Sequence, residues 1–288
     1  MTPSTPQIPP VALTIAGSDS GGGAGIQADI KAMQANGVFA ASVITAVTAQ
    51  NTRAVTAAFE LPLKLIEAQI DAVFEDLPVG ATKTGMLSSA PIIDLVARKV
   101  EAWQMQPLVV DPVMISKSGY PLLKPEAIAT LRERLLPLAT LVTPNAHEAA
   151  HLTGLQIETI EDLYEAARRI KAMGPQAVLV KGGHLTREQE AIDVLYDGNR
   201  FEVFRAPRID TPHTHGTGCT YASAIAANLA RGFALTEAIR RAKQYVTEAI
   251  RHALPIGQGH GPTHHFYFLK DFNGFPIKEA EPPRKHRV

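Results

Sequence analysis

The chain has 288 residues, with 28 acidic and 28 basic side chains and a formal net charge of zero. That balance argues against a broad electrostatic footprint for nucleic acid or an anionic membrane. A single cysteine excludes an intrachain disulfide framework and a four-thiolate zinc site. The first ten residues, MTPSTPQIPP, lack the basic and apolar regions of a secretory signal. No window approaches the roughly 20 uninterrupted apolar residues of a membrane span. A soluble cytoplasmic protein is expected, with residues 1–10 as a disordered leader.

Residues 11–16 (VALTIA) read as a buried strand that feeds the glycine loop GSDSGGGAG. A helix follows, with Ile26, Ile30 and Met33 at helical spacing and Gly37 as its stop. This loop fits neither the Walker A pattern nor the dinucleotide fingerprint. Asp29, one turn into the helix, is expected to look toward the sheet edge. Residues 41–51 form a second apolar strand ending in Thr48, Gln50 and Asn51. An amphipathic helix over 61–77, a strand and glycine turn over 81–87, a helix over 90–103 and a strand over 107–113 come next.

Asp111 interrupts that last apolar strand, where a charge is costly unless it is paired or bound to a metal. The loop 114–123 after it carries Lys117 and reads as a mobile flap. A helix over 125–136 leads to a strand over 139–145. There Asn145 is placed to cap a helix bearing His147, Glu148 and His151. HEAAH satisfies the H-E-x-x-H zinc pattern, but in an alternating strand–helix chain we read that match as chance. A helix over 163–173, an apolar strand over 177–184 whose end carries Lys181 and two glycines, and a hairpin over 191–208 around Asp-Gly-Asn follow. Next comes DTPHTHGTGCTYASAIAANLARG (residues 210–232), a glycine-punctuated turn running into an alanine-rich helix. The segment 235–253 is amphipathic, and 259–269 reads as a histidine-rich surface tail. Strands alternate with helices at least six times, the signature of a mainly parallel sheet with helices on both faces. One domain over 11–270 is expected, with a flexible tail over 271–288.

A helix that begins at glycines leaves N–H groups unpaired at the positive end of its peptide dipoles, a site for phosphate or developing negative charge. Phosphoryl transfer requires such donors together with carboxylates for magnesium and a group at the attacking oxygen. The turn over 215–219 supplies donors and Lys181 a cation, while Asp111 and Glu148 suit magnesium. Cys219, in the first helical turn, is expected to have its pKa lowered from about 8.5 by the dipole.

THGTGCT (214–220), NAHE (145–148), VKGGH (180–184) and LTIAGSDSGGGAGIQAD (13–29) together resemble the hydroxymethylpyrimidine/phosphomethylpyrimidine kinases of thiamine biosynthesis. SVITAVTAQN, TKTGML, DPVM, SKSG and GPTHH extend the resemblance, in order, from about residue 13 to 269. The resemblance implies a ribokinase-like three-layer α/β sandwich. It also implies an enzyme that uses ATP and Mg2+ to phosphorylate 4-amino-5-hydroxymethyl-2-methylpyrimidine and then its monophosphate. By position, Cys219 corresponds to the residue that takes the substrate proton, and Gly216 and Gly218 to the anion hole. Gln50, Asp29, Gly17, Met86 and Val113 would line the pyrimidine pocket. Lys181, Thr217 and Asn145 would meet the nucleotide, with Asp111 and Glu148 in the magnesium shell. A homodimer is expected, with no nucleic-acid or membrane partner. Ser20 and Gly21 depart from a common Pro-Ser pair, and Thr48 from an apolar residue. The rival readings are a pyridoxal kinase of the same fold, a non-catalytic pyrimidine sensor, and a hydrolase with Cys219 as nucleophile.

Overall fold

The computed structural model describes residues 8–117, 119–183, 185 and 190–269. Most of the expected leader, the tail beyond 269, and Ser118 and His184 lie outside the described residues. Strand β1 (Val11–Asp19) leads through the glycine loop to α1 (Gly25–Ala35), then β2 (Phe39–Gln50) and β3 (Val55–Glu60). Helix α2 (Leu63–Phe74), β4 (Val79–Thr84), α3 (Ala90–Ala102) and β5 (Leu108–Val110) follow. Next is α4 (Ala127–Thr130), which loosens into a π turn over Leu131–Leu135 and a 3-10 turn over Leu136–Leu138. The chain continues through β6 (Leu141–Val142), α5 (Ala146–Thr153), α6 (Ile160–Lys171) and β7 (Ala177–Lys181). The hairpin β8 (Glu190–Tyr196) and β9 (Phe201–Pro207) precedes α7 (Thr217–Ala230) and α8 (Leu235–Arg251).

The nine strands among the described residues join one sheet in the order β3-β2-β1-β4-β5-β6-β7-β8-β9. The six strands from β2 to β7 in that order pair in parallel. At one edge β3 is antiparallel to β2, and at the other the β8–β9 hairpin is antiparallel to β7. The second antiparallel edge, β3, was not expected from the sequence. Its side chains are mostly exposed without a period-two alternation, so it carries no hydrophobic signal.

Successive residues of a strand point to opposite faces, and here both faces are covered. Leu13, Ile15, Val110, Val178 and Val180 pack with helices α2, α3, α5 and α6 on one face. Ala12, Val109, Leu141, Ala177 and Leu179 pack with α1, α7 and α8 on the other. This is the expected α/β sandwich with a mainly parallel sheet. Parallel strands set their C-terminal ends along one sheet edge, where ligands bind in open α/β folds. The loops after β1, β4, β5, β6 and β7 all open there. The strands expected over 107–113 and 139–145 shrink to three and two paired residues because the chain leaves the ladder early to build that edge.

The segment 259–269 is not a surface tail. Thr263 and His265 are buried, and His215 pairs with Pro262 in an isolated parallel bridge. Its partners lie on the turn before α7 (His260 to Pro212), on α7 itself (His265 to Thr220) and on α8 (Tyr267 against Tyr245), which the sequence pattern does not reveal.

Candidate active site

The glycine loop after β1 is folded around a carboxylate. Asp19 accepts the N–H groups of Gly21 at 2.8 Å, Gly23 at 3.1 Å and Ala24 at 2.8 Å. Its Oδ2 also stands 2.9 Å from His215 Nε2, so one side chain joins this loop to the turn before α7. Burial works against the Asp19 charge, but the His215 ring and the Ala24 and Gly21 N–H groups overcome it and hold the carboxyl below its usual pKa. The two loops touch backbone to backbone. Gly216 has φ of 76°, and a Cβ there would collide with the Gly23 carbonyl. Only glycine fits both the left-handed conformation and that approach.

Gly216 is the N-cap of α7, and no side chain caps the helix. Gly216, Thr217, Gly218 and Cys219 line a cavity of about 1000 Å3 at the C-terminal sheet edge. The uncapped first turn therefore offers its N–H groups and the positive end of its dipole to that cavity. A Cβ on Gly218 would lie 3.5 Å from Lys181 Nζ and 3.8 Å from Asp111 Oδ2, so the helix start is set against a charged pair.

Lys181, the last residue of β7, donates to Asp111 Oδ1 at 3.0 Å, and Thr143 Oγ1 lies 3.2 Å from the same oxygen. Glu148 forms a capping box with Asn145: its carboxylate accepts the Asn145 N–H at 2.8 Å, and Asn145 Oδ1 accepts the Glu148 N–H at 2.9 Å. Burial, with Asp111 adding to it, outweighs Lys181 and pushes the Glu148 carboxyl up to about 7. For Lys181, burial is outweighed by Asp111 and Glu148, and its pKa is raised. Two carboxylates thus share one ammonium, an acidic excess suited to a divalent cation. Among the described residues no group of three or more His, Cys, Asp or Glu side chains is placed to hold a metal. The pair fits magnesium, which keeps water and takes phosphate oxygens alongside one or two carboxylates. His147 and His151, with ring centroids 6.0 Å apart, stand exposed at the cavity wall.

Gly17, Gln50, Met86 and Val113 line the same cavity. Gly17 leaves the room that the Met86 methyl occupies, since a Cβ there would clash with it. The Gln50 amide lies 3.3 Å from Thr48 Oγ1 and 3.4 Å from His215 Nε2. Asp29 is a correction: it is absent from the cavity wall and fully buried beneath it. It binds Lys83 Nζ with both oxygens at 2.9 Å and accepts the hydroxyls of Thr14 and Ser223 at 2.7 Å each. Lys83, not Asp29, reaches the wall.

Cys219 is the second correction. Its thiol pKa is pushed up to about 12 rather than lowered. Burial is the main cause, with Asp29 and Asp111 adding to it, and Lys83 and the Gly25 backbone only partly offset them. The helix dipole yields to desolvation here. Sequence reasoning also missed Asp19, Lys83 and His215. Lys83 lies between Thr82 and Thr84 in β4 and so lacks the apolar flanks that marked Asp111.

The same cavity is also lined by Ala191, Pro207, Ile209, Val246 and Ile250, a limb in which these apolar side chains stand among Arg208, Asp210 and Thr247. Inside it Lys243 and Asp193 pair at 2.7 Å. One cavity thus joins the Gln50 pocket, the uncapped start of α7 and a limb that carries apolar side chains. Fold and site together define a small-molecule kinase of the ribokinase-like class. The comparisons narrow this: a family model described as phosphomethylpyrimidine kinase matches residues 19–264, and the chain belongs to that family. It is 51% identical over 267 residues to the hydroxymethylpyrimidine/phosphomethylpyrimidine kinase of Streptomyces coelicolor, covering 93% of this chain and 98% of that one. It is 52% identical over 259 residues to a thiamine biosynthesis bifunctional protein of Geobacter sulfurreducens, covering 90% of this chain and 53% of that protein, about half its length. The solved ADP complex of Bacillus subtilis pyridoxal kinase superposes with a TM-score of 0.84 at 43% identity, covering 90% of this chain and 98% of that one.

Proposed function

We propose that this chain uses ATP to phosphorylate 4-amino-5-hydroxymethyl-2-methylpyrimidine and then the resulting monophosphate, giving the diphosphate for thiamine biosynthesis. The observation that carries this reading is the uncapped start of α7, set between the Gln50 pocket and the Lys181–Asp111 pair in one cavity. Gln50 offers both a donor and an acceptor to an aminopyrimidine edge, and Gly17, Met86 and Val113 enclose the ring. The limb that carries Val246 and Ile250 takes the nucleotide base, with Lys181, Thr217 and Asn145 toward its phosphates.

In this reading the N–H groups of Gly216, Gly218 and Cys219 stabilise the charge that develops on the transferred phosphoryl group, fixed in place before the reaction begins. The Thr217 N–H is held by the Thr214 carbonyl. Asp111 and Glu148 would hold magnesium, which when bound would supply positive charge against that of the phosphates. Phosphoryl transfer proceeds through a loose transition state that demands little base catalysis. A thiol with so high a pKa is neutral at physiological pH, so Cys219 serves better to orient the substrate hydroxyl than to remove its proton. The neighbouring cations Lys83 and Lys181 offset part of the charge that accumulates at this junction.

Pyridoxal phosphorylation is the second reading, favoured by a 44% identity to the pyridoxine kinase of Bacillus subtilis over 257 residues. We also propose a homodimer built on the β2–β3 edge, where Phe39, Val47, Phe59, Leu63 and Leu65 expose apolar surface and Val47 and Phe59 are cross-strand partners. No helix among the described residues is long and apolar enough to cross a membrane. The functional proposal is tested by incubating purified protein with ATP, magnesium and the hydroxymethylpyrimidine and following products by mass spectrometry. Sequential mono- and diphosphate are expected. Absence of any ATP-dependent product would revive a non-catalytic sensor.

A further inference from the structure

Of the histidine-rich segment 259–266 only His260 lines the cavity, yet the whole segment is built into the back of the site. We propose that it is a strap that fixes the anion-binding turn, with His265 acting through Thr220 as a positioning residue for phosphoryl transfer; this rests on the kinase reading above. The turn needs such a device. A side chain capping α7 would occupy the N–H groups that the anion requires, so the helix start must be held from behind rather than from in front.

Five contacts do this. The His215 N–H, from the residue just before the Gly216 cap, donates to the Gly261 carbonyl at 3.1 Å. The Gly261 N–H donates to His213 Nδ1 at 3.1 Å, and His260 Nδ1 lies 2.9 Å from the Pro212 carbonyl, which makes that nitrogen the donor. Thr220, the residue after Cys219, sets its Oγ1 3.0 Å from His265 Nε2 and 3.3 Å from Thr263 Oγ1. All three of these side chains are buried. Gly261 is required at its place, because a Cβ would run into the Leu254 carbonyl and stand 2.8 Å from His213 Nδ1.

The strap is itself anchored at both ends. The Tyr245 hydroxyl donates to the His265 carbonyl at 2.8 Å, and the His264 N–H to the Ala249 carbonyl at 2.9 Å, which ties it to α8. At the other end the His260 N–H donates to the Thr52 carbonyl at 2.9 Å, in the turn directly after Gln50. Burial, with smaller contributions from Lys31 and His264, pushes the His265 pKa down to about 3, so the ring is neutral and its bond to Thr220 does not change across the physiological range. Thr220 thus receives a fixed partner on the side of α7 away from the reacting groups. A small displacement of a catalytic constellation is costly: an error of about 1 Å lowers rates by up to roughly a hundredfold.

The test is a double-mutant cycle on steady-state kinetics with Thr220→Val, His265→Phe and the pair, with Thr220→Ser and His265→Gln as conservative controls. We expect each disruptive variant to lower kcat by about tenfold or more, with KM for the pyrimidine within about twofold. The double variant should be no worse than the singles, because both remove one bond. Thr220→Ser and His265→Gln, which keep a hydroxyl and a polar atom at the Nε2 position, should restore most of kcat. Losses that multiply, or a kcat unaffected while only the melting temperature falls, overturn the proposal. If the wild-type protein phosphorylates no pyrimidine, the functional reading falls. The strap is then judged from the Kd of a non-hydrolysable ATP analogue in the same cycle: equal, non-additive weakening supports it, and unchanged affinity refutes it.

Discussion

Replacing Asp29 with alanine should be among the most damaging single changes in this chain, although Asp29 touches no cavity. Its carboxylate and the Lys83 ammonium are both fully buried, and it also accepts the Thr14 and Ser223 hydroxyls. Those four residues come from β1, α1, β4 and α7, so the pair locks the Cys219 helix to the sheet. Removing one partner of a buried pair costs about 3–5 kcal/mol because the other charge is left uncompensated. Neutralising Lys83 instead, from an ordinary pKa near 10.4 at pH 7, costs about 4–5 kcal/mol, a similar ceiling. Two stranded hydroxyls add about 1 kcal/mol each. The total is a large fraction of the roughly 5–15 kcal/mol typical of a folded domain. For Lys83, burial opposes the charge and Asp29 overcomes it, so its folded-state pKa is raised. That contribution is complete at neutral pH and is lost only as pH rises through the folded value. Urea unfolding followed by circular dichroism and by Trp103 fluorescence reads the effect, and coincident transitions check two-state behaviour. Asp29→Ala/Lys83→Met should recover much of the loss, since well-packed apolar replacements of buried pairs are often neutral. A single variant within about 1 kcal/mol of wild type, or a double variant no better than the single, would refute the reasoning.

Gly216→Ala should abolish turnover, because its φ of 76° and its contact with the Gly23 carbonyl both exclude a Cβ; near-normal kcat would show that the two loops separate easily. As the only cysteine, Cys219 reports its own ionisation. Iodoacetamide labelling of the nucleotide-free protein should be slow at pH 8 and still climbing above pH 10, whereas a plateau near pH 8.5 would contradict the raised thiol pKa. The Glu148 carboxyl has a folded-state pKa raised from 4.5 to about 7, so the proton it holds stabilises the fold below about 4.5 and that stabilisation is lost as pH rises through about 7. Glu148→Gln, which still accepts from the Asn145 N–H, should therefore melt higher than wild type at pH 8 in chelator-treated buffer. The advantage should fade toward pH 5, and a difference independent of pH would overturn the assignment.

What could be read from the sequence follows from what is local. The strand–glycine–helix order, the capping pair Asn145 and Glu148, and the uncapped glycine start of α7 are each encoded within a few residues. Asp111 announced itself as a charge in an apolar strand. The misses are all questions of what lies across the fold. Asp29 sits in an ordinary amphipathic helix, and its partner Lys83 is 54 residues away. The dipole rule for Cys219 was sound as far as it went, but it carries no information about burial. The segment 259–269 has the composition of a surface tail, and its role depends on His215 and Thr220, which pattern reading does not connect to it. Edge strand β3 lacks the alternation that would mark it.

The most direct test of the account is a comparison of kcat/KM for ATP-dependent phosphorylation of 4-amino-5-hydroxymethyl-2-methylpyrimidine and of pyridoxal by the same purified protein. The account predicts a clear preference for the pyrimidine, with its monophosphate accepted as a second substrate. A higher kcat/KM for pyridoxal, with no diphosphate formed from the pyrimidine, would contradict it.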